Sequence, residues 1–290
     1  MFKKTRGLEA GLIEMDKFRI DSLKGDLVKK TPLILSKVFK GIKKAKRIYK
    51  EELNSPPENI KVASSEFWQE LSEKATNLGI DLIGFAPIDE NLIFKLDHVN
   101  GIECLYENGI VLGMEMDSEK IDTAPEPPAG FEALRIYAKL GMATVELTNF
   151  IRSRGFRAIA CHPLGGPILY PAMAVKANLG DIGTQGLLIT KKFGPRLRLS
   201  LISINASPLP ETSNQEFNVK KFCDKCKKCV NSCPVSAIYE EPIVNDNGTI
   251  TRIDRSKCIE YFYETVGCSV CIQCCPFHKM GYAAMHYSRL

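Results

Sequence analysis

The stretch "CDKCKKCVNSCP", from Cys223 to Pro234, constrains this chain more than any other feature: four cysteines at spacings of three, three and four, closed by a proline. A segment so short and so rich in turns cannot bury enough apolar surface to hold itself together, so it must be organised around something other than a hydrophobic core. A second group, "CSVCIQCCPF", starts at Cys268, and Cys258 stands alone ten residues before it. Nine of the 11 cysteines lie between Cys223 and Cys275, and the other two, Cys104 and Cys161, read as buried small hydrophobes. The first residues, "MFKKTRGLEAGLIEMDKF", hold no apolar signal core and no twin arginine, and the chain has no apolar run long enough to span a membrane. The expected location is therefore cytoplasmic. There, clustered cysteines speak for metal or redox chemistry rather than a disulfide framework.

The spacing C-x2-C-x2-C-x3-C-P is the bacterial ferredoxin run. Three close thiolates converge on one 4Fe–4S cube and the fourth ligates the other. Zinc more often takes paired C-x2-C knuckles set far apart. Two cubes at four thiolates each need eight ligands, and nine candidates are present. By the crossing rule Cys223, Cys226, Cys229 and Cys275 hold the first cube, while Cys233, Cys268 and Cys271 take three places on the second. Spacing alone favours Cys274 for the last place, with Cys258 as the rival.

The whole chain has an ordinary globular composition, 44% hydrophobic and 25% charged over 290 residues, enough for one or two domains. The net charge of +5 is uneven: residues 1–61 carry 16 Lys/Arg against 8 Asp/Glu, and the remainder 23 against 26. With no recognition motif or aromatic interleaving beside the basic segment, no nucleic-acid partner is expected. In "LILSKVFKGIKKAKRIY" the apolar Leu35, Val38, Phe39, Ile42, Ala45 and Tyr49 recur at helical spacing, opposite Lys37, Lys40, Lys43, Lys44 and Arg47. Such a helix packs on the main body or, in a sharper reading of residues 30–50, docks on an acidic partner or an anionic membrane surface. "NSPPEN" (54–59) reads as a linker.

From Ser64 helices and strands interleave. "SEFWQELSEKATNLGI" reads as a helix, "DLIGFAPI" and "NGIVLGMEM" as strands, "EPPAG" as a turn, and "FEALRIYAKLGMATVELTNFIRSRG" as one long helix. "FRAIAC" then reads as a strand, "PAMAVKANLG" as a helix, and "GLLIT" and "RLRLSLISI" as two more strands. The expected organisation is a basic helical segment and linker over 1–60, an α/β domain over 61–212, and a two-cluster domain over 213–290.

The segment "RIDRSKCIEYFYETVGCSVCIQCCPFHK" resembles the second cluster segment of reductive dehalogenases and, less closely, of epoxyqueuosine reductases. "VLGMEMD" (111–117), "TAPEPPAG" (123–130) and "LGDIGTQGLLITKKFGPRLRL" (179–199) are similar to further stretches of that family. The resemblance covers roughly 64–280. It implies an α/β fold, a nitroreductase-like layered domain that holds cobalamin or another corrinoid, with a C-terminal two-cluster ferredoxin-like domain.

The activity it implies is that of an oxidoreductase. Two 4Fe–4S clusters take electrons from a ferredoxin- or flavodoxin-type donor protein and pass them singly to cobalt, for reductive cleavage of a small organic substrate. The alternative is an electron-transfer protein that reduces a partner's corrinoid and holds none itself. The resemblance makes Cys258 the ligand and Cys274 the spare. It sets Tyr137 as proton donor, Arg196 as the basic residue beside it, and Gly180, Gly183 and Gly186 as a cofactor loop.

A free tyrosine, with pKa near 10, is a weak acid at neutral pH unless something stabilises its phenolate. A permanently charged guanidinium suits that task. There are departures from the family. "CHPLGG" replaces the usual polar segment and puts His162 where a substrate or corrinoid contact would fall. "DHVNG" (97–101) only nearly matches a corrinoid motif. The family usually carries a twin-arginine signal and continues further past Pro276, so a short cytoplasmic form is expected.

Overall fold

The computed structural model describes residues 32–56, 58–94, 101–104, 106–212, 216–217, 219–245, 250–265 and 267–287. Most of "DHVNG" and residues 1–31 of the basic segment lie outside them. The first helix, α1 (Pro32–Leu53), is followed by β1 (Lys61–Val62), α2 (Ser65–Asn77), β2 (Leu82–Pro87), β3 (Asn108–Glu115), α3 (Ser118–Ile121) and α4 (Pro127–Ser153). Next come β4 (Ala158–Cys161), α5 (Tyr170–Lys176), β5 (Asp181–Ile182), β6 (Leu188–Ile189), β7 (Leu197–Ile204) and β8 (Ala206–Ser207).

Four strands form an antiparallel sheet in the order β2-β3-β7-β4. Successive residues of a strand point to opposite faces. Ile110, Leu112, Met114, Ile202 and Ile204 accordingly pack on one side with Phe67, Trp68 and Leu71 of α2 and Ile136, Leu140 and Leu147 of α4. Val111, Leu199 and Leu201 pack on the other side with Tyr170 and Met173 of α5. Both faces are covered, which is why β3 reads as a continuous apolar run rather than an alternating one.

The basic helix is part of this body. Its Leu35, Val38, Ile42, Ala45, Ile48 and Tyr49 are buried, the last three in the same cluster as Val111. Glu52 at its end is 4% exposed and accepts from Arg152 Nε at 2.9 Å and Tyr106 Oη at 2.6 Å, and also from Arg157. A buried carboxylate is tolerated only when paired so fully, and Glu52 thereby ties α1 to α4 and β4.

Two expectations change. Phe39 is not on the buried stripe but 40% exposed, because the helix turns its residues 38 and 42 inward and 39 away. "EPPAG" is not a separate turn: α4 begins at Pro127, since proline lacks an N–H that the first helical turn does not need.

The cysteine-rich end holds α6 (Val219–Cys226), α7 (Lys228–Asn231), the antiparallel pair β9 (Ile238–Val244) and β10 (Ile250–Ile253), then α8 (Arg255–Glu264), α9 (Val270–Gln273), α10 (Pro276–Lys279) and α11 (Gly281–Tyr287). Its own apolar cluster is small: Val219, Phe277, Tyr282 and Met285, with Ile189 contributed by β6.

Candidate functional site

The two cysteine groups are built on one repeated backbone device. Lys227 follows Cys226 with φ 49°, and Ser269 follows Cys268 with φ 56°. Each left-handed residue opens a four-residue helix that carries the next cysteine at its second position, Cys229 in α7 and Cys271 in α9. Four residues on stand Cys233-Pro234 and Cys275-Pro276. In this register Cys274 occupies the place of Ser232, with which its side chain shares a hydrogen bond.

Burial pushes up the thiols of Cys223, Cys258, Cys268, Cys271 and Cys274, and those of Cys229 and Cys275 to about 12, and sulfur neighbours push each further. Those neighbours fall into two sets. Cys223 and Cys229 both sense Cys226, and Cys275 senses Cys223 and Cys229. Cys258 senses Cys268 and Cys233, and Cys271 senses Cys258 and Cys268 most and Cys229 of the first set least. Cys274 lies between the sets, near Cys226 and Cys229 on one side and Cys268 and Cys271 on the other.

Among the described residues no three His, Cys, Asp or Glu side chains group tightly enough for a single metal ion. Buried thiols spread over two sets instead suit the corners of two cubes, whose iron would offset the cost of thiolates in a dry site. Backbone N–H groups already point at the sulfurs: Ala237 donates to Cys233 at 3.2 Å, and Phe277 and His278 donate to Cys275. Cys104 and Cys161 are buried in the α/β part, with their sulfurs 4.0 Å apart.

Tyr137, half-buried on α4, packs with Val38 and Ile42 of α1 and with Leu164. The guanidinium over its ring belongs to Arg198, with Cζ 4.9 Å from the ring centroid. Arg196 was expected there. It pairs instead with Glu115 at 2.6 Å and donates to His278 Nδ1 at 3.1 Å, while His278 Nε2 is 2.7 Å from Asp122. Arg196 therefore joins the α/β part to the cysteine-rich end. Two residues along an extended strand carry the chain about 7 Å, enough to separate a junction residue from one that reaches Tyr137. Arg198 also lies close enough to Cys258 to favour its thiolate, as does Arg255. Arg198, Arg255 and Tyr263, which lies near Tyr137, were not singled out from the sequence. Arg198 alone gave a sign, standing on the same strand face as Arg196.

His162 lies at the crossing of two helices. It is 1% exposed, its Nδ1 accepts from Leu164 N at 3.1 Å, and its Nε2, buried without a hydrogen-bond partner among the described residues, faces Gly41 of α1 and Gly141 of α4, where a Cβ at Gly141 would collide with the ring. Burial lowers its pKa from 6.5 to about 4. The folded chain therefore resists a proton that the unfolded chain accepts, and stability is full above pH 6.5 and lost as pH falls toward 4. The loss expected from this group is about 3 kcal/mol. Urea unfolding across that window checks it, and His162→Gln should flatten the slope.

Gly180 immediately precedes β5, and Gly183 and Gly186 lie in the β5–β6 turn. A side chain at Gly180 would strike the Ile189 carbonyl, one at Gly183 would strike Gln185, and Gly186 has φ 78°. The turn leans on the first cysteine set through Thr184, which hydrogen-bonds Cys223. Gln185 Nε2 and Arg198 Nε are buried without a protein partner among the described residues. Orphaned buried donors of this kind suit a polar cofactor that accepts from them.

Residues 222–279 match the family model of the 4Fe–4S dicluster domain. The chain is 38% identical over 183 residues to the tetrachloroethene reductive dehalogenase of Sulfurospirillum multivorans, covering 60% of this chain and 36% of that protein. It is 30% identical over 140 residues to the epoxyqueuosine reductase of Atelocyanobacterium thalassa, covering 45% and 44%. Among solved structures, a reductive dehalogenase described as suggesting a mechanism for B12-dependent dehalogenation superposes with a TM-score of 0.70 at 18% identity, covering 86% of this chain and 37% of that one. The chain spans between about a third and a half of the length of the first curated relatives. It carries a dicluster domain for two 4Fe–4S clusters in its C-terminal part, on a mixed helix and sheet fold, and its homologues are reductive dehalogenases and epoxyqueuosine reductases, which are oxidoreductases.

Proposed function

We propose that the chain is a corrinoid-dependent iron–sulfur reductase that cleaves a bond in a small organic substrate, of the kind the dehalogenase relatives act on. One observation carries this: the Arg198 guanidinium lies over the Tyr137 ring and within electrostatic reach of Cys258. A proton donor and an electron-carrying centre thus share one cation. In this reading Cys223, Cys226, Cys229 and Cys275 hold one cluster, and Cys233, Cys258, Cys268 and Cys271 hold the other. The α/β part is the nitroreductase-like layer over 61–212.

A corrinoid, when bound, supplies the low-potential reduction. Gln185 and Arg198, with the Gly180–Gly186 turn, are the residues to hold it. Tyr137 delivers the proton from its hydroxyl. Arg198 stabilises the phenolate left behind, and the α1 residues packed on Tyr137 keep water away. The electron donor is a small ferredoxin- or flavodoxin-type protein.

A second reading is an electron-transfer protein that holds no corrinoid. Two open cavities, one beside α1 and one near Asp81 and Glu115, are not lined by Tyr137 or the glycine turn. The separating experiment is anaerobic gel filtration of the cluster-loaded chain with hydroxocobalamin, followed by cobalt and iron analysis and assay on tetrachloroethene. About one cobalt per chain is expected. Iron without cobalt would shift the assignment to the second reading.

A further inference from the structure

We propose that the outer face of α1, with the groove beside it, is a docking surface for an anionic lipid bilayer. The inference stands apart from the reductase reading. An amphipathic helix ordinarily meets a membrane with its apolar face, but that face is buried here against α4 and β4. What remains outside is a row of cations: Lys37, Lys40, Lys43, Lys44, Lys46, Arg47 and Lys50, all exposed. From Lys37 to Lys50 the row runs about 20 Å along the axis. No carboxylate occurs between Leu33 and Lys50, and among the described residues only Arg47 of the row pairs with one, Glu51 at 2.9 Å.

Beside the row lies a groove of about 550 Å³ between α1 and α4. Lys37, Lys40 and Lys139 line it together with the apolar Ile34, Leu78 and Met142. Arg135 also lines it but is held by Glu132 at 2.7 Å, and Glu146 is the one acid lining the groove. Exposed cations beside half-buried apolar side chains match an amphiphile, with phosphate on the lysines and its chain region on the apolar residues. Leu33, 80% exposed, and Phe39, 40% exposed, stand among the lysines on the same helix.

The composition separates lipid from protein as the occupant. Lysine is depleted in protein–protein interfaces, where aromatic and arginine anchors dominate. Rows of lysine on an anionic leaflet instead gain affinity roughly additively, charge by charge. Among the described residues no helix is long and apolar enough to cross a membrane, so the surface would lie on the bilayer rather than span it.

The test is flotation of the cluster-loaded full chain with vesicles of phosphatidylcholine alone or with about 30% phosphatidylserine, at low and high salt. Binding at least about ten-fold stronger to the anionic vesicles is expected, lost at high salt. Lys43→Glu with Lys44→Glu should weaken it at least about 25-fold, near five-fold per charge. Lys37→Glu with Lys139→Glu, at the groove, should weaken it comparably. Iron content and circular dichroism report folding of each variant. Equal binding to both vesicle types, or undiminished binding by the folded charge-reversed variants, overturns the proposal. So does salt-sensitive binding to an acidic protein such as flavodoxin with none to vesicles.

Discussion

Tyr137→Phe is expected to keep its iron and to lose at least about 100-fold in turnover, the lower end of what a positioned general acid contributes. The substitution keeps the ring, its packing on Val38 and Ile42, and the guanidinium above it, and removes only the hydroxyl. If Tyr137 supplies the proton, the loss falls on kcat with KM little changed, because substrate binding does not use the proton. Arg198→Lys should be impaired as well, since an ammonium cannot lie flat on the ring as a guanidinium does. Arg196→Lys should leave turnover near normal while loosening the junction with Glu115 and His278. The three variants together separate proton delivery from domain docking. Near-normal turnover in Tyr137→Phe would remove it from the mechanism.

Cys258→Ser is expected to halve the iron of an anaerobically reconstituted preparation, from about eight to about four per chain, while Cys274→Ser leaves it whole. The repeated backbone device places Cys274 opposite Ser232, a position that no cube uses in the first half. The first half has Cys223 three residues before Cys226, and the second half has no cysteine three before Cys268, so its fourth thiolate must come from elsewhere. Cys258 on α8 stands near Cys233, Cys268 and Cys271. Iron and sulfide analysis with the low-temperature spectrum of the reduced protein reads the outcome. Loss of iron from the Cys274 variant alone would reverse the assignment.

The cysteine spacing determined a great deal by itself. Thiolates three and four residues apart converge on a metal group whatever the surrounding fold, because the short chain between them has few other arrangements. The long helix and the strands of the sheet were equally legible, since their periodicity is written residue by residue. Proline at the start of α4 was read as a turn because its local signal is the same in both settings.

What tertiary structure decided lies between elements. Arg196 and Arg198 share a strand face and the same chemistry, and only the position of α4 across the sheet brings Arg198 over Tyr137. His162 reads as a contact residue from its segment alone, and only the fold shows that Gly41 and Gly141, one hundred residues apart in sequence, stand against its ring. The α1 periodicity announced an apolar face but not its neighbour. Packing on α4 and β4 uses that face and leaves the lysines outside. Local geometry follows from covalent and steric limits acting over a few residues. The choice between two equivalent side chains, or between a ligand and a packing residue, depends on which distant surface arrives, and that is settled only when the whole chain has folded.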